Sequence, residues 1–254
     1  LAFVSFYYYI FNYKQTREIF NYFRKHRKNT FLASVINTYR NYFVFGQTLI
    51  DKVAITSGLE NRFTYDFDGI ENIHQLAKDK VGGVMISAHI GNFEVSQHFM
   101  GEFEKKIHLI TTDEERRAIK AYLESITSRP KIDFIVVRDD MSHIFQINEV
   151  LTKEEIICFT GDRFFPGNKI LETEFLGQKA KFPAGPFLIS SRLQCPVLFV
   201  YVMREKNKHY HLYARKAEFK NRDAQGLLES YVENIEGMLD KYPLQWFNYY
   251  NFWK

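Results

Sequence analysis

Only two cysteines, Cys158 and Cys195, occur in the 254 residues, each among apolar neighbours. That scarcity argues against a disulfide framework and leads us to expect a reducing, cytosol-facing location. The uncharged opening stretch, Leu1 to Phe11, falls short of the about 20 apolar residues that cross a bilayer. It also lacks the basic start and small-residue cleavage site of a secretory signal. No zinc-finger spacing and no regular basic helix is present, which excludes the common nucleic-acid readers. There is no Gly-x-Ser-x-Gly elbow, which weighs against a serine hydrolase. There is no His-Glu-x-x-His and no cysteine ligand cluster, so neither a metal nor a cofactor is expected. No repeat or low-complexity linker divides the chain.

What the sequence does have is aromatic surface. It carries 25 Phe and 16 Tyr, many near the two ends. Such side chains suit sheet cores and also membrane interfaces, where one end of the ring is dry and the other wet. The net charge is +4, with a pI of about 8.8, a mild bias toward acidic partners or anionic surfaces. The chain starts at Leu1, not Met, and reads as part of a longer protein. Its uncharged opening fits either a helix packed on the domain or one that enters or lies on a membrane. The length suits one large α/β domain. We expect a helical, membrane-associated segment over 1–58 and an α/β domain over 59–254.

The periodicity predicts a basic helix from Lys14 to Lys28 and a long helix from Phe31 to Ser57. Leu32, Val35, Ile36, Tyr39 and Phe43 recur there at helical spacing. Gly58 reads as its stop. Strands are expected at 63–67, 83–87, 107–111, 132–137, 156–160, 197–203 and 209–215. Helices are expected at 70–80, 94–103, 113–128, 141–151, 182–193 and 223–241. Strands alternating with helices imply an α/β fold with a mixed, mostly parallel central sheet covered by helices.

Chemistry concentrates in Ser87-Ala88-His89-Ile90-Gly91-Asn92-Phe93-Glu94. A buried strand delivers His89 to the sheet edge, where α/β sites lie. Gly91 permits a tight turn. Glu94, about one turn into the following helix, is placed to point back at the imidazole. A histidine near neutral pKa takes the proton of a hydroxyl, and a carboxylate on its other nitrogen fixes the tautomer. The acceptor's own hydroxyl then acts as nucleophile, with no covalent acyl-enzyme.

Strand–His–x4–acid resembles the signature of the glycerolipid-type acyltransferases. The variant here is similar to the His-x-Gly-Asn-Trp/Phe-Glu form of the bacterial lipid A biosynthesis late acyltransferases. Further blocks follow in that family's order. They are Gly161-Asp162-Arg163 after a strand, Glu174 to Ala180, Phe182-Pro183-Ala184-Gly185-Pro186, Cys195-Pro196-Val197, and Tyr242-Pro243-Leu244-Gln245-Trp246-Phe247. The resemblance covers roughly residues 60 to 254. It implies catalytic roles for His89 and Glu94. It also implies an acyl-thioester donor, acyl carrier protein or acyl-CoA, and a lipid acceptor at the cytoplasmic face of a bacterial inner membrane. The family's basic ending is replaced here by Tyr250 to Lys254, which points to a less anionic acceptor.

Six further residues are candidates for substrate binding. Asn92 sits in the motif, and we also read it as orienting the turn. Arg138 follows a strand and suits a phosphate or an oxyanion, or pairs with Asp139 or Asp140. Asp162 and Arg163 suit ordering the following loop, or a structural ion pair. Gly177 and Lys179 lie in the Gly-x-x-Ala block, where a lysine suits a phosphate or plain solvent. The Arg24 to Lys28 cluster suits acidic headgroups or an acidic carrier protein. Three rival readings are transfer to an amino-acid lipid or polyene pigment, hydrolysis of the acyl group, and non-catalytic lipid binding. Nucleic acid is not an expected partner.

Overall fold

The computed structural model describes residues 1–92, 95, 105–111, 132–138, 140, 142–164 and 169–253. Three helices open the chain: α1 (Ala2–Phe11), α2 (Tyr13–Asn21) and α3 (Phe31–Ala54). Thr30 caps α3 by accepting the backbone N–H of Ala33. Beyond the end of α3, Gly58 adopts a φ of 84°, a backbone state that glycine enters without a Cβ penalty. The expected helix stop is there. The expected helices 94–103 and 113–128 lie outside the described residues.

Seven strands form the central sheet: β1 (Thr64–Asp68), β2 (Gly83–Ser87), β3 (Ile107–Thr111), β4 (Ile132–Val136), β5 (Ile156–Thr160), β8 (Val197–Arg204) and β9 (His209–Lys216). Their order is β1-β9-β8-β2-β5-β3-β4. Every neighbouring pair is parallel except β8 with β9. The fold is therefore the mixed, mostly parallel α/β sheet flanked by helices that the alternation implied. Beside it stands a two-stranded hairpin, β6 (Ile170–Phe175) with β7 (Gln178–Pro183). Leu176 and Gly177 form its turn, with φ of 51° and 77°, the positive values that a two-residue hairpin loop demands. The sequence reading missed this hairpin. It placed a helix from Phe182, whereas Phe182 and Pro183 end β7 and the helix α6 runs only Ala184–Ser190.

Helices cover both faces. Helices α4 (Ile70–Lys78), α5 (Ser142–Thr152) and α7 (Ala224–Lys241) complete the set. On α7 the residues Leu227, Leu228, Tyr231, Val232 and Ile235 are buried at helical spacing. They join Val84 and Ile86 of β2 and Phe199 of β8 in the main core. Met85, between those two β2 residues, faces the other way and packs with Ile73 and Leu76 of α4. Strand β2 is buried along its whole length, which is why it reads as a continuous apolar run. The N-terminal helices are tied into the same core. Ile19, Tyr22, Phe23 and Tyr42 belong to it, and the Tyr22 ring meets Trp246 edge-on at 5.0 Å.

Helix α3 is inverted relative to a soluble amphipathic helix. Ser34, Thr38, Asn41, Thr48 and Asp51 are buried on it, while Phe31, Leu32, Ile36, Leu49, Ile50 and Val53 are exposed. Of the residues whose spacing identified the helix, Leu32 and Ile36 are exposed, while Val35, Tyr39 and Phe43 are partly buried. On α1, which packs on α3, Phe3 is 91% exposed, and Phe6, Tyr7, Ile10 and Phe11 are also exposed. No described helix is long and apolar enough to cross a membrane.

Phe199 is fully buried between β2 and α7. Phe199→Ala should cost about 3–5 kcal/mol of unfolding free energy, the usual range for emptying an aromatic site in a packed core. Equilibrium denaturant unfolding measures it. A loss below about 1 kcal/mol contradicts the packing described.

Candidate active site

His89 and Asp162 meet because two parallel strands run in register. Ser87 of β2 lies opposite Thr160 of β5. Continuing each chain two residues past that pair places His89 beside Asp162, at the carboxyl edge of the sheet where α/β sites form. The Asp162 carboxylate holds His89 twice. Oδ2 accepts the His89 backbone N–H at 2.9 Å, and Oδ1 lies 2.8 Å from Nδ1. An ionised carboxylate only accepts, so Nδ1 carries the proton and Nε2 is left as the basic atom. The Asp162 side chain is 5% exposed and that of His89 23%, so the carboxylate is dry and the imidazole is open at one side.

Burial pushes the Asp162 carboxyl upward. The charge and two hydrogen bonds of His89, with the charge of Arg163, outweigh burial and hold it below its ordinary value. Tyr250 steadies the same residue by donating its hydroxyl to the Asp162 carbonyl at 3.1 Å. Gly161 is required next door: a Cβ there would lie 2.8 Å from the Tyr231 ring and hydroxyl. That hydroxyl and the Gly161 N–H both donate to the Ser87 carbonyl, at 2.7 and 2.9 Å. The strand ends bearing the pair are thus locked to each other and to α7.

The turn after His89 is held just as firmly. Gly91 has a φ of 64°, and a Cβ on it would lie 2.1 Å from the Val202 carbonyl oxygen. Its N–H donates to the Gln245 carbonyl, the N–H of Asn92 to Val202, and the N–H of Phe247 to the His89 carbonyl. The Gln245 amide in turn clasps the backbone of Arg204, accepting its N–H at 2.9 Å and donating to its carbonyl at 2.7 Å. The block Tyr242 to Phe247 is therefore the outer wall of the His89 turn.

The structure brings His89, Asn92, Asp162 and Arg163 together. Asn92 is 5% exposed and donates its side-chain amide to the Thr48 carbonyl and the Tyr210 hydroxyl. It orients the turn. The Arg163 guanidinium stacks over Tyr250 at 5.6 Å, and its buried Nε has no hydrogen-bond partner among the described residues. Three candidates stand apart. Arg138 is exposed beyond β4, at the far end of the strand order. Lys179 pairs across the hairpin with Glu172 at 2.6 Å. Gly177 shapes the hairpin turn, with open space around it. Glu94 lies outside the described residues.

Sequence reasoning gave Asp162 a loop-ordering role and missed its grip on His89. The signal available was its place two residues after a predicted strand, matching that of His89; strand adjacency was the missing fact. Among the described residues, Glu205, His209 and His211 form one group able to hold a metal, with ligand atoms within 4.8 Å of one another. Protein partners already engage it: Tyr242 donates to Glu205 at 2.5 Å, and Thr64 lies 2.8 Å from His209.

A family model described as bacterial lipid A biosynthesis acyltransferase matches residues 38–254. Among solved structures, the chain is similar to the 1-acyl-sn-glycerophosphate (LPA) acyltransferase PlsC from Thermotoga maritima. The identity is 16% and the TM-score 0.42, covering 94% of this chain and 95% of that one. No curated protein matches.

The lowered Asp162 value sets a pH dependence. A carboxyl whose folded pKa lies below its unfolded value of about 3.9 stabilises the fold fully above that pH. The contribution fades as pH falls through the folded value. The stability gap between wild type and Asp162→Asn should hold steady above about pH 5 and shrink below about pH 4. Denaturant unfolding across a pH series reads it. A gap that widens toward acid contradicts the assignment.

Proposed function

The chain belongs to the bacterial lipid A biosynthesis acyltransferase family and is an acyltransferase acting on a lipid, and from that premise we propose how the transfer is carried out. Nε2 of His89 takes the proton of an acceptor hydroxyl as the oxygen attacks the carbonyl carbon of an acyl thioester. The carbon–oxygen bond forms, the carbon–sulfur bond breaks, and the imidazolium returns the proton to the departing thiolate. Asp162 stabilises the imidazolium and prevents the wrong tautomer. Glu94, which completes the family's His-x4-Glu motif, is assigned the second carboxylate. Arg163, with a buried and unpartnered Nε beside Asp162, is assigned to acceptor phosphate or to the developing oxyanion. The single observation that carries this reading is the 2.8 Å contact between His89 Nδ1 and Asp162, which leaves one basic nitrogen on a half-open imidazole.

The donor we propose is an acyl carrier protein thioester, with acyl-CoA as the alternative, and the acceptor a lipid A precursor or a related lipid. The inverted α3 and the aromatic face of α1 support a membrane-surface location. Exposed apolar surface of this extent is stable against hydrocarbon and unfavourable in water. Arg24, Lys25 and Lys28 lie in the same N-terminal segment and suit anionic headgroups. Two free cysteines fit the reducing cytoplasmic side of the bacterial inner membrane.

The transfer reading is tested with palmitoyl-acyl carrier protein and palmitoyl-CoA against vesicles of a bacterial total-lipid extract. Labelled palmitate should enter a lipid, and His89→Ala should lower turnover by about 10³-fold or more, with Asp162→Asn and Glu94→Gln at least about 10²-fold. Label released only as free palmitate favours the hydrolase reading, and turnover by His89→Ala at the wild-type rate ends the mechanism.

The membrane reading has a separate test. Burying one Phe side chain fully contributes about 1.5–3 kcal/mol. Replacing Phe3, Phe6 and Phe11 together with Ser should therefore weaken sedimentation with anionic vesicles at least about tenfold. Unchanged binding rules out α1 as the contact.

A further inference from the structure

The turn after His89 is gripped from outside the sheet by a carboxylate on α3, and we propose that Asp51 is a positioning residue for the active site. This inference rests on the acyl-transfer reading above. The Asp51 side chain is 8% exposed and that of Arg204 14%, and Arg204 Nε donates to Asp51 Oδ2 at 2.6 Å. The Tyr210 hydroxyl donates to the same oxygen at 3.0 Å. An ionised carboxylate only accepts, so Tyr210 spends its proton there and offers a lone pair in return. Asn92 Nδ2 donates to that hydroxyl at 3.2 Å, and to the Thr48 carbonyl, one turn before Asp51, at 3.1 Å.

The charge on Asp51 thereby fixes the direction of the Tyr210 hydrogen bond, and the oriented hydroxyl joins the Thr48 carbonyl in holding the Asn92 amide nitrogen toward α3. The same Asp51 anchors Arg204, whose backbone is clasped by Gln245, the residue that receives the Gly91 N–H. Both routes end on the two residues that set where the chain leaves His89. A buried ion pair is a poor source of stability compared with apolar packing. Its use here is orientation: without the charge, the Tyr210 hydroxyl loses its obligatory acceptor and is free to turn away from the arrangement that offers Asn92 a lone pair. Asp51 touches neither reacting atoms nor His89 and acts through Asn92 and Arg204.

The test is Asp51→Asn, which keeps the shape and removes the charge, assayed for palmitoyl transfer from palmitoyl-acyl carrier protein to total-lipid vesicles. The expected result is a kcat lower by about 10–100-fold, the scale of a small misplacement of reacting groups. The KM for the donor should stay within about threefold, and the acid limb of the kcat–pH profile should not move. In a double-mutant cycle with Asn92→Ala the combined loss should fall short of the product of the two, because the changes share the Tyr210 route while Asp51 also acts through Arg204. Tyr210→Phe, which keeps the ring packing, supplies the same measurement should Asp51→Asn fail to fold. A kcat within about twofold of wild type, or losses that multiply in the cycle, overturns the proposal. The His89→Ala control separates the two ideas. Turnover surviving His89→Ala sinks the mechanism itself, whereas a dead His89→Ala beside a fully active Asp51→Asn sinks only this inference.

Discussion

One buried carboxylate spends both of its oxygens on a single residue, and the surrounding architecture serves that contact. Asp162 binds the backbone and the ring of His89 together, so the imidazole cannot turn without breaking a charged hydrogen bond in a dry setting. Such a bond is worth more than a neutral one and is costly to leave half-made. Gly161 lets Tyr231 approach, Tyr231 and Gly161 hold the end of β2, and Tyr250 holds Asp162 from the far side. These contacts come from α7 and from the chain's last residues. The site is therefore a property of the whole sheet edge and not of a short motif.

A second constraint acts from outside. Helix α3 turns polar residues inward, where Asn41 donates to the Leu244 and Trp246 carbonyls, the Thr48 carbonyl accepts from Asn92 and Asp51 accepts from Tyr210 and Arg204. Six of its apolar residues, Phe31, Leu32, Ile36, Leu49, Ile50 and Val53, face out. In water this arrangement wastes hydrophobic surface; beside lipid it does not. One helix thus links an exposed apolar surface with the turn that follows His89.

Much of this was legible in the residues. The buried run at 83–87 and the strand at 156–160 were readable from their composition, and Gly58 from its place at a helix end. The motif around His89 and the ordered blocks that follow it pointed to acyl transfer before any coordinates. Other features were hidden for physical reasons. The hairpin of β6 and β7 is short and half-polar, and its turn uses Leu176, which carries no turn signal. The partnership of His89 with Asp162 depends on β5 lying beside β2, a matter of strand order that spacing along the chain does not encode. The outward stripe of α3 was visible as a stripe, but periodicity gives a face and not the medium that the face meets.

The claim beneath the rest is that Asp162 keeps His89 in one neutral tautomer, with the proton on Nδ1 and Nε2 bare. Nitrogen-15 NMR of histidine-labelled protein, with His89 assigned by its loss in His89→Gln, reads the tautomer directly. The expected result at alkaline pH is a protonated Nδ1 and an unprotonated Nε2, with that preference lost in Asp162→Asn. A proton found on Nε2, or a tautomer balance that ignores Asp162→Asn, would contradict it.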